Sequence, residues 1–432
     1  MISAATRKAG ETDDVFQRTV LPNGLRIITS EMPQTRSATV SVYVGAGSRY
    51  EVDAEAGLSH FLEHMLFKGA SRRPTAQEIA EAIESVGGLH NAATDRELTV
   101  YYAKTPDFAA LETIDILSDM VTAPEMDPVE LEKERMVILE ELSSVEDNPG
   151  ELAAILADET LWPDQPLGRN IGGAMETARS LPLSAVERYF RAQYVPSNMV
   201  LSVAGNVTHE AVVEAASRWL GPAPEGEAHT WHPVEPRGES PRVGIRTKAT
   251  EQAHLCLTYP ALPLGHEDQY AAGLVSALLG EGMSSRLFLE LREERALVYD
   301  VHSYMSEYRD AGAFTVYAGC DPSNARVTLE AAREEIERFL CDAGDEELEK
   351  GKRMVAGRIQ LRMEDTRSVA AWLGGQELVL DEVLTVDEVV AMVEGVTLDD
   401  LRRVGGDLLR PEAATIAAVG PFEDDSVFAG VI

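Results

Sequence analysis

His60-Phe61-Leu62-Glu63-His64 is the stretch on which the reading of this chain turns. Residues four apart share one face of an α-helix, so both imidazoles project the same way, and Glu63 lies between them within an arc of roughly 100°. Two imidazoles so placed can share one metal ion, with a carboxylate able to reach a water on that ion. Gly57 and Leu58 lead into the helix, and Met65, Leu66 and Phe67 follow, so it is expected to be mostly buried over about Glu55 to Phe67. A histidine buried without a partner costs a few kcal/mol. One satisfied core histidine is ordinary; two at this spacing with a glutamate before the second form the inverted H-x-x-E-H pattern.

A catalytic zinc site needs a third protein ligand. The run Leu131 to Leu142 offers several acids, and helical periodicity separates them. Ile138, Leu142 and Val145 fall within about 40° of Leu131 and define a buried stripe. Glu134 and Glu141, seven apart, lie at its border, whereas Glu140 lies on the opposite, solvated face. Glu141 is therefore the expected third ligand and Glu134 a supporting acid, with Glu140 as the alternative.

Around this centre the elements follow in a regular order. Two strands over residues 20–28, joined by a turn at Pro22-Asn23-Gly24, and a strand over 37–45 precede the motif helix. Thr75 with Glu78 reads as a capping box opening a helix that stops at Gly87-Gly88. Two strands (about 89–94 and 98–103), helices over 106–121 and 127–145, a helix near 183–192, a strand at 199–204 and a helix to Leu220 come next. Between Gly221 and Gly244, proline, glycine and charge replace periodic apolar residues, as in a linker. After it, strand, helix, helix, strand pair and long helices return in the same order, ending in a strand at 414–419. The fold class expected is α+β: two homologous halves, 1–220 and 245–432, joined by the linker 221–244. The helix matching the motif helix, Tyr270 to Leu279, has no histidine or acid, so only the first half is equipped to hold metal.

Composition bounds the possibilities. A chain of 432 residues is long for one core. A net charge of −35 disfavours nucleic acid and anionic membrane as partners. No apolar run approaches the ~20 residues of a membrane span. The start, MISAATRKAGETDD, lacks the apolar centre of a secretory signal and reads as a polar arm over 1–17, so a cytoplasmic location is expected. Cys256, Cys320 and Cys341 are scattered and odd in number, which suggests reduced thiols.

Nearly the whole chain resembles the pitrilysin and mitochondrial-processing-peptidase family of zinc metallopeptidases, in its short bacterial form. The resemblance is carried by LPNGLRI (Leu21–Ile27), GLSHFLEHMLFKG (Gly57–Gly69), GGLHNAATDRELTVYYA (Gly87–Ala103), EKERMVILEEL (Glu132–Leu142), PLGRNIGG (Pro166–Gly173), GMSSRLFLELREERALVYDVHSY (Gly282–Tyr304) and DAGAFTVYAG (Asp310–Gly319). It implies one Zn²⁺ per chain on His60, His64 and Glu141, Glu63 as general base toward a zinc-activated water, and Glu134 as the supporting acid. It also implies that Arg292 and Tyr299 contact substrate and that Asn91 and Ala92 line the cleft. Without the resemblance, Arg292 belongs to a charged helix and Tyr299 merely opens a strand. His90 is a possible further polar contact, and His254, His266 and His302 read as structural.

The function implied is a zinc metalloendopeptidase acting on unfolded peptides or processing segments inside a closed chamber. The peptide would lie extended along the edge of the 89–94 strand. Family members pair to enclose the chamber. A homodimer is expected here because one chain carries both the zinc motif and the Arg292/Tyr299 pair; a heterodimer with a related subunit is the other arrangement. The alternative function is a non-catalytic or partner-dependent subunit of a heteromeric processing peptidase. Such subunits are expected to lose motif residues, whereas His60, Glu63, His64 and Glu141 are all present.

Overall fold

The computed structural model describes residues 15–235, 242–380 and 382–432. Residues 1–14 of the expected arm and 236–241 of the expected linker lie outside them. The first half runs β1 (Gln17–Val20), β2 (Arg26–Glu31), β3 (Ser37–Val44), α1 (Leu58–Leu66), α2 (Ala76–Glu84), β4 (Leu89–Thr94) and β5 (Thr99–Pro106). It continues through α3 (Ala110–Thr122), α4 (Pro128–Glu146), α5 (Pro149–Leu161), α6 (Met175–Ser180), α7 (Leu183–Gln193), β6 (Met199–Gly205) and α8 (His209–Trp219). The second half runs β7 (Arg242–Thr247), β8 (Ala253–Ala261), α9 (Gln269–Gly280), β9 (Val298–Glu307), β10 (Gly312–Cys320), α10 (Ala325–Asp342) and α11 (Asp345–Arg362). It ends with α12 (Thr366–Val379), α13 (Val386–Gly395), α14 (Leu398–Leu408) and β11 (Thr415–Gly420).

The two sheets repeat one topology. The first is ordered β1-β2-β6-β3-β5-β4 and the second β7-β11-β8-β10-β9. In each, the last strand of the half joins parallel to one neighbour (β6 to β2, β11 to β7) and antiparallel to the other (β6 to β3, β11 to β8). A hairpin then completes each sheet, β5 with β4 and β10 with β9, leaving β4 and β9 at equivalent open edges. The internal repeat expected from the order of elements is thus matched strand for strand, with β1 as an addition. Several boundaries differ from expectation. The strand β7 already begins at Arg242, within the stretch read as linker. The second helix expected after the linker is a wide-turned segment over Phe288–Glu294 with i→i+5 bonding. The motif helix begins only at Leu58, because Gly57 takes the left-handed conformation at φ 94°.

Each half lends a helix to the other. The apolar face of α5 (Leu152, Ala153, Leu156, Ala157) packs on Cys256, Ala417 and Val419 of the second sheet. In return, Leu373 and Leu378 of α12 pack on Ile28, Tyr43 and Val200 of the first. Here Gly374 lets the backbone approach, since a Cβ would stand 2.4 Å from the Tyr43 ring. The exchanged helices lie on one face of each sheet. The main core of the first half holds α1, α3, α4, α7 and α8 residues; that of the second holds residues of α9, α10 and α14.

A buried polar junction completes the joint. Arg49 has no exposed surface and its Nη1 donates to Glu97 Oε1 at 2.5 Å, while Nη2 pairs with Asp310. Its Nε donates to the His232 carbonyl at 2.9 Å, and its guanidinium stacks 4.3 Å from the Trp231 ring. Asp310 Oδ2 accepts from the Val234 backbone at 2.9 Å. The connection between the halves is thereby strapped to both.

Candidate metal centre

The helix α1 is held at its start by devices the motif itself does not contain. Glu51, fully buried, accepts from the backbone N–H of Gly57 at 2.8 Å and of Ser59 at 2.6 Å, satisfying two of the free donors of the first turn. Burial pushes its carboxyl up to about 7, against the lowering effect of those hydrogen bonds and of Arg169. The Ser59 hydroxyl bonds Tyr189 OH at 2.8 Å. Gly57 and Gly173, both at positive φ, interlock: a Cβ on Gly57 would meet the Gly172 carbonyl at 2.5 Å, and one on Gly173 the Ala56 carbonyl at 2.3 Å. The glycines of the PLGRNIGG run thus seat the beginning of α1.

Along α1, Phe61, Leu62, Met65 and Leu66 are buried while His60, Glu63 and His64 share the face toward α4 and β4. The helix α4 opens with an Asp127 cap and Pro128 at its first position. It buries Leu131, Glu134, Arg135, Ile138 and Leu142, and the Arg135 guanidinium lies 5.5 Å from the Phe61 ring. Two turns of α4 separate Glu134 from Glu141, and both reach the α1 histidines.

The ligand atoms converge. His60 Nε2 and His64 Nε2 are 3.2 Å apart, and Glu141 Oε2 lies 3.7 Å from the first and 3.6 Å from the second. Ligands about 2.0–2.2 Å from a tetrahedral ion stand roughly 3.3 Å from one another, so the three surround a volume fit for zinc. Among the described residues this is the one cluster of three such groups within mutual reach. Burial first, and His64 second, hold the His60 imidazole down to about 4, so it is neutral and free to ligate at neutral pH. His60 Nδ1 is buried with no partner. His64 Nδ1 faces Glu134 Oε2 at 3.0 Å, which directs the opposite nitrogen, Nε2, toward the ion site. Glu134, expected at the border of the stripe, lies inside it at 5 % exposure, whereas Glu141 is exposed.

Glu63 accepts from the Thr94 hydroxyl of β4. Burial raises its carboxyl above the ordinary range; the Thr94 bond and His64 lower it, and Glu141 raises it. On β4, His90, Ala92 and Thr94 are half-buried and alternate with exposed Leu89, Asn91 and Ala93. The His90 ring lies 5.8 Å from Phe67 at the end of α1. Asn91 Oδ1 accepts from the N–H of Ala92 at 2.9 Å, a local bond on the alternate face.

Arg292 and Tyr299 are brought together but not to the centre. Arg292 Nη1 donates to the Tyr299 carbonyl, and the guanidinium stands 5.3 Å from the Tyr299 ring, which is 70 % exposed. No described hydrogen bond, ion pair or ring contact links either residue to His60, Glu63, His64 or Glu141. Lys68 Nζ stands 2.6 Å from Glu134 Oε1. Sequence reasoning missed this lysine, Thr94 and Glu51. Lys68 and Thr94 stand in the quoted runs without any spacing that marks them, and Glu51 carries no signal.

Known proteins match along most of the chain. The family model described as Insulinase (Peptidase family M16) matches residues 26–175, and that of the Peptidase M16 inactive domain matches residues 180–355. An uncharacterized zinc protease of Streptomyces coelicolor is 38 % identical over 421 residues, covering 94 % of this chain and 90 % of that one. One of Bacillus subtilis is 35 % identical over 408 residues, covering 94 % and 98 %. A solved protease of Helicobacter pylori superposes with TM-score 0.88 at 22 % identity, covering 94 % of this chain and 99 % of the other, which speaks to fold alone.

Proposed function

The chain belongs to peptidase family M16, the insulinase family, and from that membership we propose that it is a cytoplasmic zinc-dependent endopeptidase acting on extended, unfolded peptides or processing segments. The observation that carries the reading is the convergence of His60, His64 and Glu141 beside Glu63. Zinc held by those three would polarise a peptide carbonyl and acidify water. Glu63, fixed by Thr94 and raised by its buried setting, takes the proton of the attacking water and delivers it to the leaving amine. Glu134 holds the His64 ring in the ligating tautomer. The open edge of β4 offers main-chain donors and acceptors to a peptide added as a further strand, which binds many sequences alike. Asn91 and Ala92 lie on that edge.

Arg292, half-buried, and Tyr299, exposed, lie in the second half and act on substrate as donors toward developing negative charge. Since neither contacts the centre of its own chain, a second copy of this chain, or a related subunit, supplies them across a shared chamber. Among the described residues no helix is long and apolar enough to cross a membrane.

The test pairs metal content with cleavage of a quenched fluorescent peptide library, for wild type and Glu63→Gln. One zinc in both proteins with cleavage only by wild type is the expected result. Zinc without cleavage in wild type would turn the reading toward a partner-dependent subunit. Absence of zinc from both would overturn it.

A further inference from the structure

Lys68 lies just past the end of α1, and its Nζ stands 2.6 Å from Glu134 Oε1. The other oxygen of that carboxylate faces His64 Nδ1 at 3.0 Å. One nearly buried carboxylate is therefore divided between a lysine and a ligand histidine. Among the described residues, Lys68 is the one lysine or arginine in ion-pair contact with Glu63, Glu134 or Glu141.

Its backbone is fixed on both sides. The Lys68 N–H donates to the Met65 carbonyl at 3.1 Å, continuing the last turn of α1. Gly69 follows at φ 148°, where a Cβ would stand 2.4 Å from the Pro74 carbonyl, so the turn at this point is reserved for glycine. Gly69 in turn accepts from the Glu125 N–H at 3.0 Å. A lysine on a free surface gains little from one ion pair. This one is three-quarters buried, and its anchor is set by the same helix that carries both histidines.

We infer that Lys68 is a positioning residue of the metal centre, acting through Glu134 to orient His64. The inference rests on the reading of His60, His64 and Glu141 as the zinc ligands. Held by Lys68 at one oxygen, the Glu134 carboxylate presents its other oxygen to His64 Nδ1. Without the lysine, a buried oxygen has no partner, and the carboxylate gains by turning toward water, leaving the imidazole free to rotate and to adopt the wrong tautomer. Glu134 and His64 lie on different helices, so Lys68 also fixes the end of α1 against the middle of α4.

The test is zinc affinity, measured by titrating metal-free full-length protein against a fluorescent chelator, with apo-protein thermal unfolding recorded beside it. The variants are K68M, K68R, E134Q and K68M/E134Q, with K68Q replacing K68M in both arms should K68M not fold. Loss of an outer-shell partner typically weakens metal binding about 10- to 100-fold, which is the loss expected for K68M. K68R, which keeps a cationic donor, recovers most of it, and K68M adds no further loss in the E134Q background. Wild-type zinc affinity in K68M, or losses that add in full in the double variant, would overturn this inference alone. Failure of the wild type to bind zinc would overturn the metal centre and the inference with it.

Discussion

Arg49, wholly buried in the first half, makes an ion pair with Asp310, which lies in the β9–β10 turn of the second. The same guanidinium serves Glu97 and the connection through His232 and Trp231, so one side chain joins three parts of the chain. Removing one partner of a buried pair leaves the other charge uncompensated and typically costs about 3–5 kcal/mol. Arg49→Met should lower the unfolding temperature and, because the joint between halves is lost first, produce a broadened or two-step calorimetric transition. A single sharp transition near the wild-type temperature would show that the junction carries no such weight.

Gly173→Ala should weaken the seat of α1. The position combines φ 77° with a Cβ that would stand 2.3 Å from the Ala56 carbonyl. Backbone strain of this kind costs on the order of 1–3 kcal/mol, before any displacement of α1. Thermal unfolding and zinc titration together give the measurement, and both are expected to fall. Gly87→Ala is the control: φ is also positive, at 80°, but nothing stands within 4 Å, so only the strain remains.

Glu51 predicts a pH dependence. Its carboxyl is raised to about 7 in the fold, mainly by burial, from an ordinary value near 4.5. A raised folded value means that the native state holds the proton more tightly than the unfolded chain. The stability this contributes is present below about pH 4.5 and is lost as pH rises toward 7, on the order of 3 kcal/mol over the interval. Denaturant unfolding at several pH values should show a shallower decline over that interval in Glu51→Gln than in wild type. Parallel profiles in the two proteins would remove Glu51 as the cause.

The parts legible in the sequence were those a helical or strand period determines from one element alone. His60, Glu63 and His64 share a face because 3.6 residues make a turn, and Glu134 and Glu141 follow from the same arithmetic on α4. The duplicated order of strands likewise yielded two sheets of one topology. What escaped depends on contacts between distant elements. An apolar face on α5 or α12 says that something covers it, not that the other half's sheet does. The strand β7 follows a stretch rich in proline and glycine and pairs in parallel with a strand about 170 residues on, so no local hairpin signal marks it. Thr94 and Lys68 gain their roles from Glu63 and Glu134, each reached from another element or turn.

Glu140 and Glu141 give a sharp test of the ligand set, because the two are adjacent, identical in chemistry and both exposed. Solvent exposure does not tell them apart; direction does. Glu141 Oε2 lies within 3.7 Å of both imidazole Nε2 atoms, whereas Glu140 has no described contact with either histidine. Glu141→Gln exchanges an anionic ligand for a neutral one and should lower zinc affinity by well over the roughly 10- to 100-fold expected of an outer-shell change. It should also abolish the rise in unfolding temperature that added zinc gives the wild type, since a ligand stabilises only the state that binds it. Glu140→Gln should leave both measurements at wild-type values. If the Glu140 variant loses zinc and the Glu141 variant keeps it, then α4 is rotated by about 100° from the position described, and Glu134 could no longer meet His64 either.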